Sequence, residues 1–155
     1  MKKCDHKSVG ILVWKNEKLL LIERARFPFG FAPPAGHVDA DTTFESAAKR
    51  ELAEETGLIA TSLQVVAMGK KENVCRRTDD KYHEWKIYCV ETEGSLKTDP
   101  AEVKQVNWLS LAGIRELAAL TNRYLKGEIS ETEWEKRPGI EPVWYDWFKE
   151  LDILK

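Results

Sequence analysis

Residues 36–58 read GHVDADTTFESAAKRELAEETGL, and this stretch decides most of what the rest of the chain can be. From Thr43 to about Thr56, Phe44, Ala47, Ala48 and Leu52, with Ala53 beside them, recur at the helical period. Gly57 supplies a stop signal, and Thr42 or Thr43 offers an N-cap. On that helix Glu51, Glu54 and Glu55 stand at i, i+3 and i+4, so three carboxylates rise from one face within a single turn. Like charges so close weaken a helix, and these lie in its second half, where the macrodipole disfavours negative charge. Local propensity alone would not place them there. Crowded carboxylate oxygens suit a hard divalent cation, Mg2+ or Mn2+, of the kind that bridges carboxylates and phosphates. Taken without their flanks, the three glutamates read more plainly as a solvated acidic face with Lys49 and Arg50 alongside.

Outward from the helix, the part of the chain before it reads as strand, turn, strand and loop, and the part after it as strand and then helix. Ser8–Trp14 and Leu19–Ala25 are apolar runs flanking the polar turn Lys15-Asn16-Glu17-Lys18, which predicts a hairpin. Residues 26–34 hold three phenylalanines, two consecutive prolines and Gly30, so they form an irregular loop. Leu63–Met68, Trp85–Val90 and Val103–Leu109 read as strands, and Ile114–Leu120 as a helix. Two more helices are expected in the tail: one after Ser130, which with Glu133 makes a capping-box pattern, and one with Pro142 in its first turn. Strands on both sides of a central helix, with helices at the end, predict an α/β fold with a mixed sheet covered by helices.

Composition bounds the function. The chain has 155 residues, 43% hydrophobic and 32% charged, which fits one domain with a sizeable core. A net charge of −2 gives no general pull toward nucleic acid or membrane. No apolar run is long enough to span a bilayer, and the start of the chain is too charged for a signal peptide, so a cytoplasmic location is expected. Cys4, Cys75 and Cys89 are odd in number and lack CxxC spacing, which indicates neither a disulfide framework nor a zinc site.

The flanks of the helix change the reading of its glutamates. Gly36, Arg50, Glu51, Leu52, Glu54, Glu55, Gly57 and Leu58 fall in register with the signature of the Nudix hydrolases, G-x5-E-x7-R-E-U-x-E-E-x-G-U, with U aliphatic. The chain resembles that family over most of residues 6–120. One fixed position departs: Thr42 stands where the pattern has its first Glu. The resemblance implies an α/β/α sandwich over residues 1–155, with the aromatic-rich helical tail (about 121–155) appended. It also implies a metal set of Glu51, Glu54, Glu55 and the Gly36 carbonyl around Mg2+ (Mn2+ as the other candidate). Arg50 is then expected to orient the carboxylates, and Glu102, just before a strand, to join the site from a later loop as base or auxiliary ligand. Loss of the Glu at Thr42 removes a support for the box arginine, with Asp39, Asp41 and Glu45 near enough to compensate.

The remaining candidates are weaker. Phe29, among Phe27, Phe29 and Phe31, is positioned to stack on a base, or to cap the sheet. Arg76 and Arg77, with Lys70, Lys71 and Lys81, give a basic loop suited to polyphosphate, or a solvated one. His83 and His37 could contact phosphate or act as bases, but isolated histidines are more often ordinary strand-end residues. Trp144, Trp147 and Phe148 share a helical face that packs on the body, or forms a lid or homodimer contact.

Three functions follow. The first is a metal-dependent nucleotide pyrophosphohydrolase. Its expected substrate is a nucleoside triphosphate, because the compact chain leaves little room for the dimerisation segment of ADP-ribose-type relatives. A nucleotide sugar, ADP-ribose or dinucleoside polyphosphate is the alternative. The second is a degenerate nucleotide sensor, favoured by Thr42 and opposed by the retained carboxylates. An interaction protein resting on the aromatic tail is third.

Overall fold

Lys15 pairs with Lys18 across a two-residue turn in which Asn16 and Glu17 both have positive φ, 52° and 63°. Those angles match the right-handed twist of the strands they join, so the polar tetrapeptide is the hairpin turn its composition predicts. The computed structural model describes residues 3–40, 43–73, 75, 77 and 82–155. In chain order its strands begin with β1 (Lys7–Leu12), β2 (Trp14–Lys15), β3 (Lys18–Arg24), β4 (Phe31–Ala32) and β5 (Ala35–His37). Helix α1 (Phe44–Thr56) follows, then β6 (Ile59–Glu72), β7 (Tyr82–Glu93) and β8 (Val103–Leu109). Helices α2 (Leu111–Leu125), α3 (Glu131–Lys136) and α4 (Pro142–Glu150) close the chain.

The strands make two sheets where the sequence suggests one. A mixed sheet runs β5-β1-β7-β6, with β1 and β7 parallel and both outer pairings antiparallel. An antiparallel sheet joins β2, β3 and β4, with β8 on the other edge of β3. Alternation along the strands sorts the core onto two faces. Val9, Ile11, Val13 and Leu20 pack toward Ala47, Ala48 and Leu52 of α1. Leu12, Leu19, Leu21, Trp85 and Ile87 pack toward Ile114 of α2 and Trp144, Trp147 and Phe148 of α4. The result is helix on sheets on helix.

Three elements exceed their sequence expectation. β6 and β7 form a long two-stranded ladder from Ile59 opposite Glu93 to Glu72 opposite Tyr82, with register shifts near Ala60 and Val65. Its outer half is polar, so periodicity hides it and cross-strand bonding carries it. α2 starts at Leu111, where the Ser110 side chain accepts the Gly113 N–H. The aromatic tail is core: Trp144, Trp147 and Phe148 are wholly buried, and a Cβ on Gly10 would overlap the Trp144 ring.

The segment before the site is pinned by the same tail. Phe31 donates its N–H to the Gly139 carbonyl, and Glu141 donates its N–H to the Phe31 carbonyl, at 2.8 and 2.9 Å. Gly30, with φ of 145°, lies so close to the Glu141 backbone that a side chain there would collide with it. The loop that the prolines and phenylalanines break is therefore held beside α1 and α4 by backbone pairing.

Candidate active site

Helix α1 starts where the Thr43 hydroxyl accepts the Ser46 N–H at 3.0 Å, and it stops at Gly57, left-handed with φ of 79°. Between these ends the buried stripe Ala47, Ala48, Leu52 and Thr56 fixes the rotation of the helix and turns Glu51, Glu54 and Glu55 toward β5 and the loop after it. Gly36 is what admits them. A Cβ at that position would overlap the Glu51 carboxylate, so only glycine lets this acid lie against the backbone. Arg50 fastens the same corner. Its guanidinium donates to Glu51 Oε1 at 2.7 Å and to the His37 carbonyl at 2.8 Å, and lies 3.6 Å from Glu54 Oε2. Glu55 accepts the Ala35 N–H at 2.8 Å.

Burial shapes the charges. Removal from water pushes Glu51 up to about 7, against the pull of Arg50, with Glu54 adding repulsion. It pushes Glu55 up to about 8, with Glu51 as the next cause. Glu54 is the exposed member, with 60% of its side chain open. The three share a face of α1 and line the same cleft. Their all-oxygen donor set, with the Gly36 carbonyl, fits a hard divalent ion.

These residues line a cleft of about 540 Å³. Glu102 lies on its rim, 48% exposed and 3.3 Å from Arg26. Arg77 reaches the cleft but is ion-paired with Asp39, which holds its guanidinium charged. His83 lines the cleft from a buried position. It is 1% exposed, with Nδ1 2.7 Å from Ser8 Oγ and Nε2 3.4 Å from Cys4 Sγ, so both ring nitrogens have protein partners. Lys71 points away: it binds Asp146 at 2.8 Å and Glu150 at 2.5 Å and lies over the Trp147 ring. Lys70 lies over the Tyr82 ring. Arg76, Lys81, Asp41 and Thr42 lie outside the described residues. Glu45 is exposed in the first turn of α1 and is not among the residues lining the cleft; its charge adds to the burial that raises the Tyr88 hydroxyl.

Phe29 lines a second cleft, of about 450 Å³, which shares Phe27, Pro28, Asn73, Glu141 and Val143 with the first. Tyr124, Trp134 and Tyr145 complete its aromatic wall, and Tyr124 stacks on Trp134 at 4.0 Å between ring centroids. An acidic cleft thus opens beside an aromatic one.

Sequence reasoning passed over several residues that the fold brings here. Glu141 is 6% exposed, faces both clefts, lies 3.8 Å from Arg24, and has its carboxyl raised by burial. It reads in sequence as an ordinary acid before a helix proline. Cys4, His37, Cys75 and His83 come together with their ligand atoms all within 4.8 Å of one another, and the last three line the cleft. Their absence of CxxC spacing pointed away from such a cluster; each comes from a separate segment, and only strand pairing joins them. His37 and His83 are therefore neither isolated nor ordinary surface residues, and burial lowers His37 to about 4 with Arg77 adding to the effect.

A NUDIX domain model matches residues 5–135 of the chain. Over 112 residues the chain is 34% identical to an m7GpppN-mRNA hydrolase of Danio rerio, a match covering 61% of this chain and 37% of that protein. Over 58 residues it is 45% identical to an ADP-ribose pyrophosphatase of Methanocaldococcus jannaschii, covering 35% of this chain and 34% of the relative. The matched parts are thus about a third of either relative's length. Among solved structures, the MutT protein of Methanosarcina mazei superposes with a TM-score of 0.68 at 18% identity, covering 98% of this chain and 96% of that one. This last likeness is one of fold.

Proposed function

The chain belongs to the Nudix hydrolase superfamily, and from that premise we propose that it is a divalent-metal-dependent pyrophosphohydrolase acting on a nucleoside diphosphate linked to another group. The observation that carries this is the charge of the larger cleft. Seven carboxylates (Asp39, Glu51, Glu54, Glu55, Asp99, Glu102 and Glu141) line it against three arginines, Arg24, Arg50 and Arg77. Burial raises Glu51 and Glu55 to about 7 and 8, so their protons leave in exchange for a cation, and with the carboxylates charged a polyphosphate would be repelled unless cations accompanied it. A module that merely held a nucleotide would gain nothing from this arrangement, which opposes the sensor reading.

In this reading Glu54 and Glu55 hold the metal, with Glu51 and the Gly36 carbonyl completing the set. Bound Mg2+ or Mn2+ would polarise the phosphoryl oxygens and lower the pKa of an attacking water. Arg50 is a positioning residue in this reading, since its guanidinium is held against Glu51 and the His37 carbonyl. In this reading Glu102 takes the proton from water, and Glu141, a buried carboxyl lining the same cleft, is the alternative. Arg77 would contact phosphate through the edge of its guanidinium not committed to Asp39.

The aromatic cleft gives the rest of the substrate a place. Phe29, Tyr124 and Trp134 suit a nucleobase, which stacks on aromatic side chains at about 1–3 kcal/mol per base. The two curated relatives are named for an mRNA cap and ADP-ribose, both of which carry an organic group on each side of the phosphates. Those names and the paired clefts favour such a substrate over a bare nucleoside triphosphate. The test is a panel of nucleoside triphosphates, nucleotide sugars, ADP-ribose, dinucleoside polyphosphates and cap analogues with Mg2+ or Mn2+, with products identified by phosphorus NMR. Hydrolysis confined to two-sided substrates supports the reading. Turnover of triphosphates alone would reverse the preference, and inertness toward the whole panel would support the sensor reading.

A further inference from the structure

Cys4 precedes β1, His37 ends β5, Cys75 lies between β6 and β7, and His83 is in β7, yet their side chains form one cluster. Cys4 Sγ lies 3.9 Å from Cys75 Sγ and 3.4 Å from His83 Nε2, while Cys75 Sγ lies 3.3 Å from His37 Nε2. Zinc bonds of about 2.3 Å to sulfur and about 2.0 Å to nitrogen, set at tetrahedral angles, put two sulfurs about 3.8 Å apart and sulfur and nitrogen about 3.5 Å apart. The three separations in the structure fall close to those edges.

From this match we propose that Cys4, His37, Cys75 and His83 bind one Zn2+ as a closed, structural Cys2His2 centre, separate from the carboxylate site. The inference stands whether or not the chain is a hydrolase.

The surroundings of the cluster are those a zinc centre needs. The His6 N–H donates to Cys4 Sγ, and the Arg77 N–H donates to Cys75 Sγ, each at 3.3 Å. Both sulfurs thus receive an amide proton from two residues further on, an outer contact that orients a ligating sulfur. His83 turns its other nitrogen, Nδ1, to Ser8 Oγ at 2.7 Å, the outer contact that orients a ligating imidazole and fixes its tautomer. Two thiolates neutralise Zn2+, so the half-buried site carries no net charge from its core. Thiolate and imidazole select zinc over the magnesium that suits the glutamates. Four protein ligands leave no open position, which makes the centre structural rather than catalytic.

A disulfide is the rival for these sulfurs. Their separation of 3.9 Å is nearly twice an S–S bond, and drawing them together would pull each sulfur away from its imidazole. The ligands join the segment before β1, the end of β5, the connection from β6 to β7, and β7 itself. His37 is next to Gly36, so zinc here would set the wall against which Glu51 packs.

The test is metal content of the untagged full chain, purified without chelator and measured by plasma mass spectrometry, together with the absorption of the Co2+-loaded protein. The expected result is about one zinc per chain, with sulfur-to-cobalt charge-transfer bands and intense tetrahedral d–d bands. Cys4→Ser and Cys75→Ser should each lose most of the metal and lower the thermal midpoint, while Cys89→Ser should keep both. If the Cys4 and Cys75 variants fail to fold, the wild-type stoichiometry and cobalt spectrum decide alone. Substoichiometric metal after zinc loading, a cobalt spectrum without sulfur bands, or a Cys4–Cys75 disulfide in the mass map would overturn the proposal.

Discussion

Replacing Glu55 by Gln should make the metal-free protein more stable while disabling the site. Burial and the neighbouring Glu51 raise the Glu55 carboxyl from an ordinary 4.5 to about 8. The unfolded chain releases this proton near the ordinary value, so the folded state binds the more protons across the interval between. Stability contributed by the protonated acid is therefore full below the unfolded value and lost as pH rises toward the folded one. At 1.36 kcal/mol per pH unit, the penalty at neutral pH comes to about 3 kcal/mol. Gln is neutral throughout, and its side-chain oxygen can still accept the Ala35 N–H. Urea denaturation in EDTA should show the two proteins alike near pH 4.5 and the variant more stable by about 3 kcal/mol at pH 7, roughly 6–12 °C in Tm. Adding Mg2+ should stabilise the wild type and leave the variant unmoved, because a metal bound only to the folded state acts by mass action. Equal stabilities at every pH would refute the buried-acid account of Glu55.

Arg50→Lys keeps the charge but loses the fork that spans Glu51 and the His37 carbonyl, so Mn2+ affinity measured by EPR should fall about 10–100-fold; unchanged affinity would remove its positioning role. Trp144→Ala should cost about 3–5 kcal/mol in denaturant unfolding, since the ring is wholly buried against Gly10; a loss below about 1 kcal/mol would contradict its place in the core. Glu102→Gln should lower kcat by less than Glu54→Gln does and flatten the pH–rate profile. An unchanged profile would assign the proton transfer to Glu141.

The parts legible in sequence are those set by local pattern. The helix, its Thr43 cap and its Gly57 stop follow from periodicity and end chemistry, and the Glu51, Glu54, Glu55 face follows from helix geometry. The turn at Asn16-Glu17 and the burial of Trp144, Trp147 and Phe148 follow in the same way. What sequence could not supply is contact between distant segments. β6 is long because β7 pairs with polar residues that periodicity does not count. Glu141 faces the cleft because Phe31 bonds the backbone around it. Cys4 and Cys75 meet His37 and His83 because β1 lies between β5 and β7, a juxtaposition no spacing rule encodes. Lys71 shows the reverse error: a basic residue in a promising loop is used up by Asp146 and Glu150 of α4.

The central claim is that the glutamates of α1 hold a divalent ion needed to cleave a phosphoanhydride. The Mg2+ dependence of hydrolysis, compared between wild type and Glu54→Gln, tests it most directly. Glu54 is the open carboxylate of the three, so Gln should leave the fold intact. Wild-type turnover should vanish in EDTA and return on adding Mg2+ or Mn2+, whereas Glu54→Gln should lose at least about 10²-fold in kcat at saturating metal. Turnover that persists through exhaustive chelation, or a Glu54→Gln protein with the wild-type rate and metal response, would contradict the account.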